Sequence, residues 1–208
     1  MIQLPSATAV GRVLPKEAFY KHLTLSGDLK EKFVADIKRV TLSNSLTATT
    51  LHLEAGTEVA EILVLTVELK KQQFDGRIVE NIARQNPHKL LFLLRFEDKA
   101  QLAVYHAKLY TTAWVPYDEI LLQVKGITLD EIWQGFLEQI ALQDGLTEHR
   151  PGEDINTTLQ RQEMILKLQK EIEKLEKRTQ SEVQPKKKFG LYQQLQELNK
   201  KLEDIENA

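Results

Sequence analysis

Cysteine is missing from all 208 positions of this chain, and that alone excludes disulfides, thiolate catalysis and cysteine-ligated zinc. Such a composition fits a reducing compartment. Glycine is sparse, nine residues in all, and none of them builds a Gly-x-Gly-x-x-Gly or Walker phosphate loop, which argues against ATP or dinucleotide use. A Gly-x-Ser-x-Gly nucleophile elbow is absent too. Neither charge is in excess: 28 Lys and Arg against 30 Asp and Glu leave a formal net charge of -2. That balance excludes the chain-wide positive field behind non-specific nucleic-acid binding. No apolar run approaches the ~20 residues of a bilayer span. The opening MIQLPSATAVGRVLPK, broken by Pro5 and Pro15, does not read as a secretory signal. A cytoplasmic protein with no membrane partner is predicted.

What is present is an ordinary globular balance, 42% hydrophobic and 28% charged residues, in a chain long enough for one cored domain and an appendage. The pattern predicts an α/β (α+β) fold with a mixed central sheet of about five strands flanked by helices. This domain, with an extended N-terminal arm, is assigned to 1–145, a linker to 146–156, and an antiparallel helical hairpin or coiled coil to 157–208.

Pro5, Gly11, Pro15 and Gly27 predict an extended arm with at most one helical turn around Glu17 to Lys21. Asp28 is read as the N-cap of a helix through about Val40, because Leu29, Phe33, Ile37 and Val40 recur at helical spacing. The threonine-rich TATTLHLE from Thr47 alternates, and EILVLTVELK is nearly continuously apolar from Ile62 to Leu69. With AGTE between them they predict a hairpin whose second strand is central in the sheet. Asp75 to Gln85 reads as a helix closed by Asn86 and Pro87. KLLFLLRF and AQLAVYHAKLY, flanking Glu97, Asp98 and Lys99, read as a second hairpin. A strand over Glu119 to Val124 and a helix from Leu129 to about Leu142, capped by Thr128 with Glu131, complete the domain.

Beyond the polar stretch from Asp144 to Asn156 the chain is rich in Lys, Glu, Gln and Leu. Ile165, Leu168, Ile172 and Leu175, then Leu191, Leu195, Leu198, Leu202 and Ile205, recur three or four residues apart. Pro185 and Gly190, in the break TQSEVQPKKKFG, turn the chain, so the two helices are expected to fold back on each other. About two heptads per seam are too few for an isolated two-helix unit in water. The remaining apolar edge of the two helices is expected to dock on the α/β domain, on a second copy of the chain or on a different protein, which makes these seam residues the candidate partner-binding set.

Glu68 and Lys70 are the catalytic candidates. On one strand face they offer a carboxylate to hold magnesium and an amine to position water, the Glu-x-Lys half of a restriction-nuclease-like site. Such a site needs a further carboxylate, and Glu54, Glu58 and Glu61 are available; a charged strand end with no chemistry is the plainer reading. Lys186, Lys187 and Lys188, beside Phe189 and near Lys177 and Arg178, form a basic tip able to touch phosphates, or simply a solvated turn. His22, His52, His88, His106 and His149 show no metal-ligand spacing and read as packing or hydrogen-bonding residues, and Asp118 with Glu119 as loop surface. No metal site is predicted, and no cofactor other than magnesium under the nuclease alternative.

Three stretches resemble the bacterial family of domain of unknown function 4391: LPSATAVGRVLPKEAFY, then EILVLTVELKKQ with NPHKLLFLLRFEDKAQLAVYHAK, and finally EVQPKKKFGLYQQLQELNKKL. The similarity covers nearly the whole chain. The Pro-Lys-Lys-Lys-Phe-Gly turn departs from the Lys-Gln-Phe-Asn-Arg-Lys run more frequent in that family. The resemblance carries no activity onto particular residues. It implies genes beside helicases and DNA methyltransferases of restriction-like or phage-defence operons, and hence an accessory subunit of a DNA-processing complex. A helicase or methyltransferase would be its protein partner, with DNA touched indirectly. Residues and resemblance together predict a non-enzymatic interaction protein binding through 157–207, with a metal-dependent nuclease at Glu68 and Lys70 as the alternative.

Overall fold

Among the residues that the computed structural model describes (2, 4–54, 56–142, 146–150 and 152–207), those of the first unit, Met1–Ala141, are organised around one mixed sheet. Its elements run β1 (Ala9–Leu14), α1 (Lys16–His22), α2 (Gly27–Asp36), β2 (Ile37–Leu46), α3 (Ala48–Leu51) and β3 (Ile62–Leu69). They continue with α4 (Arg77–Arg84), β4 (Lys89–Phe96), β5 (Lys99–His106), β6 (Lys108–Thr111), β7 (Val115–Pro116) and α5 (Leu129–Ala141). The sheet order is β1-β2-β3-β4-β5-β6, with β7 added beside β5. β3 and β4 run parallel, joined through α4, and the other pairs are antiparallel. The expected mixed sheet flanked by helices is present, in seven strands rather than about five.

β3 lies inside the sheet, as its apolar run requires. Leu65, Val67 and Leu69 join Leu90, Phe92 and Leu94 of β4 in a core with Phe33 of α2 and Ile78, Val79 and Ile82 of α4. Phe19 of α1 adds its ring 5.5 Å from that of Phe33. Helix α5 packs on β5 and β6, burying Ile132, Trp133, Phe136, Leu137 and Ile140, the stripe expected from its sequence. At its start Thr128 Oγ1 accepts from the Glu131 nitrogen at 3.2 Å. The Glu131 carboxylate accepts in turn from Ile127, one residue ahead of the cap, at 2.9 Å.

Several expectations are corrected. The helix from Asp28 ends at Asp36 instead of Val40, and Ser26 caps it, its Oγ accepting from the Leu29 nitrogen. Ile37 and Val40 are buried as the helical stripe required, but from β2. A register shift between Ile37 and Arg39 restores both to one core, although residues three apart on a regular strand face opposite ways. β2, and not TATTLHLE, is the antiparallel partner of β3. The threonines wind α3 instead, Thr47 and Thr50 capping each other reciprocally. The arm supplies the edge strand β1 and the seven-residue helix α1. AQLAVYHAKLY divides into β5 and β6 around Ala107, whose φ is 58°. Glu119 to Val124 forms no strand, although Ile120 and Leu122 are buried there.

The second unit, Leu142–Ala208, contains α6 (Ile155–Ser181) and α7 (Pro185–Asn207). They form the expected antiparallel hairpin: Leu168 and Glu171 share a groove with Lys201 and Ile205, and Leu175 and Arg178 share one with Gln194 and Leu198. Pro185 takes the first helical position, where a missing N–H costs nothing, and Gly190 lies inside α7, so the turn is shorter than the sequence break. Of the polar stretch before α6, Asp144, Gly145 and Pro151 lie outside the described residues. No helix among the described residues is long and apolar enough to cross a membrane.

Candidate functional site

Antiparallel pairing sets Arg39 of β2 opposite Glu68 of β3, and parallel pairing sets Arg95 of β4 on the other side of Glu68. The three therefore form a row across adjacent strands, on the sheet face opposite Val67 and Leu69. Arg39 donates to Glu68 Oε1 through Nε, at 2.8 Å, and also through Nη2. Lys38 Nζ is 3.9 Å from Glu68 Oε2. Arg95 takes no part in that ion pair. Its guanidinium stands over the Tyr117 ring, 4.0 Å from the centroid, and its buried Nε has no hydrogen-bond partner among the described residues. The Tyr117 nitrogen donates to the Asp98 carbonyl at 2.7 Å, which ties the ring to the turn between β4 and β5. Lys38, Arg39, Glu68, Leu69, Arg95 and Glu97 line a pocket of about 290 Å³.

Lys70 goes elsewhere. β3 ends at Leu69, and beyond it the Lys70 ammonium donates to the Val34 carbonyl at 2.8 Å, while its backbone nitrogen donates to the Asp36 carbonyl at 2.8 Å. Open carbonyls at the end of α2 attract the cation, so Glu68 and Lys70 have separate partners. Lys16 donates to the Ile37 carbonyl close by; burial first, and then Lys70, lowers its pKa.

The further carboxylates do not gather round Glu68. Glu61, before the opposite end of β3, accepts from the Ser45 hydroxyl and lies 3.3 Å from His88 Nδ1. Glu54 bridges to Thr128, and the Glu58 nitrogen donates to Asp130. Among the described residues no three histidine or acidic side chains are grouped to hold a metal ion. The acid that shares the pocket of Glu68 is Glu97, in the turn between β4 and β5 at φ 53°. Arg39 was not legible as a site residue because the helical spacing conceals the strand character of β2; Arg95 and Glu97 were not legible because only the parallel pairing of β3 with β4 sets them beside Glu68.

A second charged cluster surrounds Asp75, which accepts from Lys32 at 2.9 Å and from Arg77 Nη2 at 2.6 Å. The Arg77 hydrogen bonds above all hold the Asp75 carboxyl well below the usual carboxylate range. Lys186, Lys187 and Lys188 are exposed in the first turn of α7, where the helix dipole disfavours cations, and Phe189 beside them is 63% exposed. His149 Nδ1 lies 3.2 Å from Thr158 Oγ1, and His52 ends α3 in the left-handed region.

In the hairpin Ile165, Ile172 and Leu175 are buried and Leu168 is half-buried. Every seam residue of α7, Leu191, Leu195, Leu198, Leu202 and Ile205, is only half-buried. Met164 and Tyr192 are more than half exposed, at 55% and 51%.

The family model described as Domain of unknown function (DUF4391) matches residues 2–202. No curated protein and no solved structure matches the chain. Since the family match takes in both the sheet bearing the Arg39, Glu68 and Arg95 row and nearly all of the α6–α7 hairpin, the chain belongs to the DUF4391 family.

Proposed function

We propose that this chain is a non-catalytic accessory subunit of a bacterial DNA-processing complex and that it engages a partner protein through the α6–α7 hairpin. The observation that carries this reading is the state of α7: a 23-residue helix with an apolar seam of which no residue is fully buried. Apolar area left in water favours a further contact by roughly 25 cal/mol per Å². Met164, Leu168 and Ile205 line a groove of about 400 Å³, flanked by Lys167, Glu171, Lys201 and Asp204. An apolar floor with charges of both signs suits the apolar face of an amphipathic helix. The pairing of Glu68 with Arg39, and of Lys70 with Val34, supports an accessory role over a catalytic one. A helicase or DNA methyltransferase is the partner class, as the gene neighbourhood implied by the family resemblance suggests.

The test is co-expression of the full chain with helicase and methyltransferase subunits encoded beside it, followed by light scattering. A complex of additive mass is expected, and its loss in a Met164→Glu, Ile205→Glu variant that keeps its helical content. A complex that survives those changes, or no complex at all, refutes the reading. A doubled mass of the chain alone would make a second copy the occupant.

A further inference from the structure

Arg95 is a half-buried arginine that, among the described residues, forms no ion pair with a carboxylate, although Glu68 is its immediate neighbour across the β3–β4 pairing. Arg39 already holds Glu68, and the Arg95 guanidinium stacks on Tyr117 instead. A guanidinium oriented by a ring, outside any ion pair among the described residues and sharing a pocket with Lys38 and Arg39, has the fork geometry that receives an oxyanion.

We propose that this pocket binds a phosphate monoester group, carried by a nucleoside monophosphate or by the 5′ end of a nucleic-acid strand. Its charge favours an anion over a cation. Among the residues that line it, Lys38, Arg39 and Arg95 stand against Glu68 and the exposed Glu97, an excess of one positive charge. At about 290 Å³ the cavity is at the lower edge for ligand sites and admits a phosphate with a small appendage. Its position is also apt. Glu68 and Arg95 are the penultimate residues of the parallel strands β3 and β4, and ligands of open sheets gather at the carboxyl ends of such strands. None of these residues belongs to the hairpin, so this proposal and partner binding stand or fall separately.

The full-length protein is titrated calorimetrically with inorganic phosphate, a nucleoside 5′-monophosphate, and an oligonucleotide with either a 5′-phosphate or a 5′-hydroxyl. Saturable binding of phosphate-bearing probes is expected, weakened at least about tenfold by Arg95→Gln and strengthened a few-fold by Glu97→Gln. Binding by the 5′-phosphorylated strand but not by its 5′-hydroxyl twin identifies a strand end; binding by the monophosphate alone identifies a small molecule. If the thermal midpoint of Arg95→Gln falls, Lys38→Gln decides, since that side chain is 69% exposed and its neutralisation weakens phosphate binding without setting a second carboxylate beside Glu68. No saturable binding at millimolar probe, or binding indifferent to Arg95, Lys38 and Glu97, overturns the proposal.

Discussion

The Asp130 carboxylate lies 2.7 Å from the backbone nitrogen of Val59, which fastens the first turn of α5 to the loop leading into β3. The nitrogens of Thr57, at 2.6 Å, and Glu58, at 3.1 Å, point at the same carboxylate, and the Thr57 hydroxyl donates at 2.9 Å. Three successive amides converging on one charge make a small anion nest filled by the protein itself. These bonds, that of the Thr57 nitrogen foremost, hold the Asp130 carboxyl below its ordinary value of 3.8.

Replacing Asp130 by Ala should cost about 1–2 kcal/mol by urea unfolding at neutral pH, allowing for solvent screening, and Asn less. Because folding depresses this pKa, the carboxylate stabilises the fold fully above 3.8 and stops doing so as pH falls through the folded-state value. The gap between wild type and Asp130→Ala should therefore close on acidification below about pH 4. A gap that stays constant into strong acid would mean the interaction is not ionic.

Asp75 gathers Lys32 and Arg77, and Arg77 also reaches Asp28 at 3.1 Å. Asp75→Asn should lower the unfolding free energy by about 1 kcal/mol at low salt and by clearly less at about 1 M salt, since the partners are exposed and screened. An effect independent of salt would assign the loss to the Asp75 hydrogen bond with the Arg77 nitrogen, at 3.1 Å, instead.

Two glycines should respond in opposite directions. A Cβ at Gly190, inside α7, would meet nothing within 4 Å, so Gly190→Ala should stabilise the hairpin by about 0.5–1 kcal/mol. Gly126 has φ 139°, and a Cβ there would stand 2.8 Å from that of Glu131, so Gly126→Ala should destabilise by about 1–3 kcal/mol. Thermal unfolding of both variants checks the pair.

Phe33 is fully buried against Phe19 and the β3–β4 core. Phe33→Ala should cost about 3–5 kcal/mol in denaturant unfolding. A loss below about 1 kcal/mol would mean that α2 is detached from the sheet in solution.

Where a segment could declare itself locally, its sequence was sufficient. The apolar run of β3, the β4–β5 hairpin around Glu97 and Asp98, the stripe of α5 and the alternating seams of α6 and α7 each carry a period that one conformation satisfies. The segment from Asp28 to Val40 did not, because Leu29, Phe33, Ile37 and Val40 fit a helix equally well, and only the bulge and the pairing with β3 make its last residues a strand.

The candidate site shows the same division. Glu68 was visible as a charge ending an apolar strand, and Lys70 as its neighbour two positions on. What stands beside Glu68 was decided by strand register: Arg39 from β2 and Arg95 from β4 lie 29 and 27 positions away in the chain and become adjacent only through backbone hydrogen bonds. Sequence by itself determined the periods, and hence which faces are apolar, because side-chain direction follows local geometry. Tertiary structure alone decided which charges meet, because strand order and register are set by pairing between segments that carry no mark of one another.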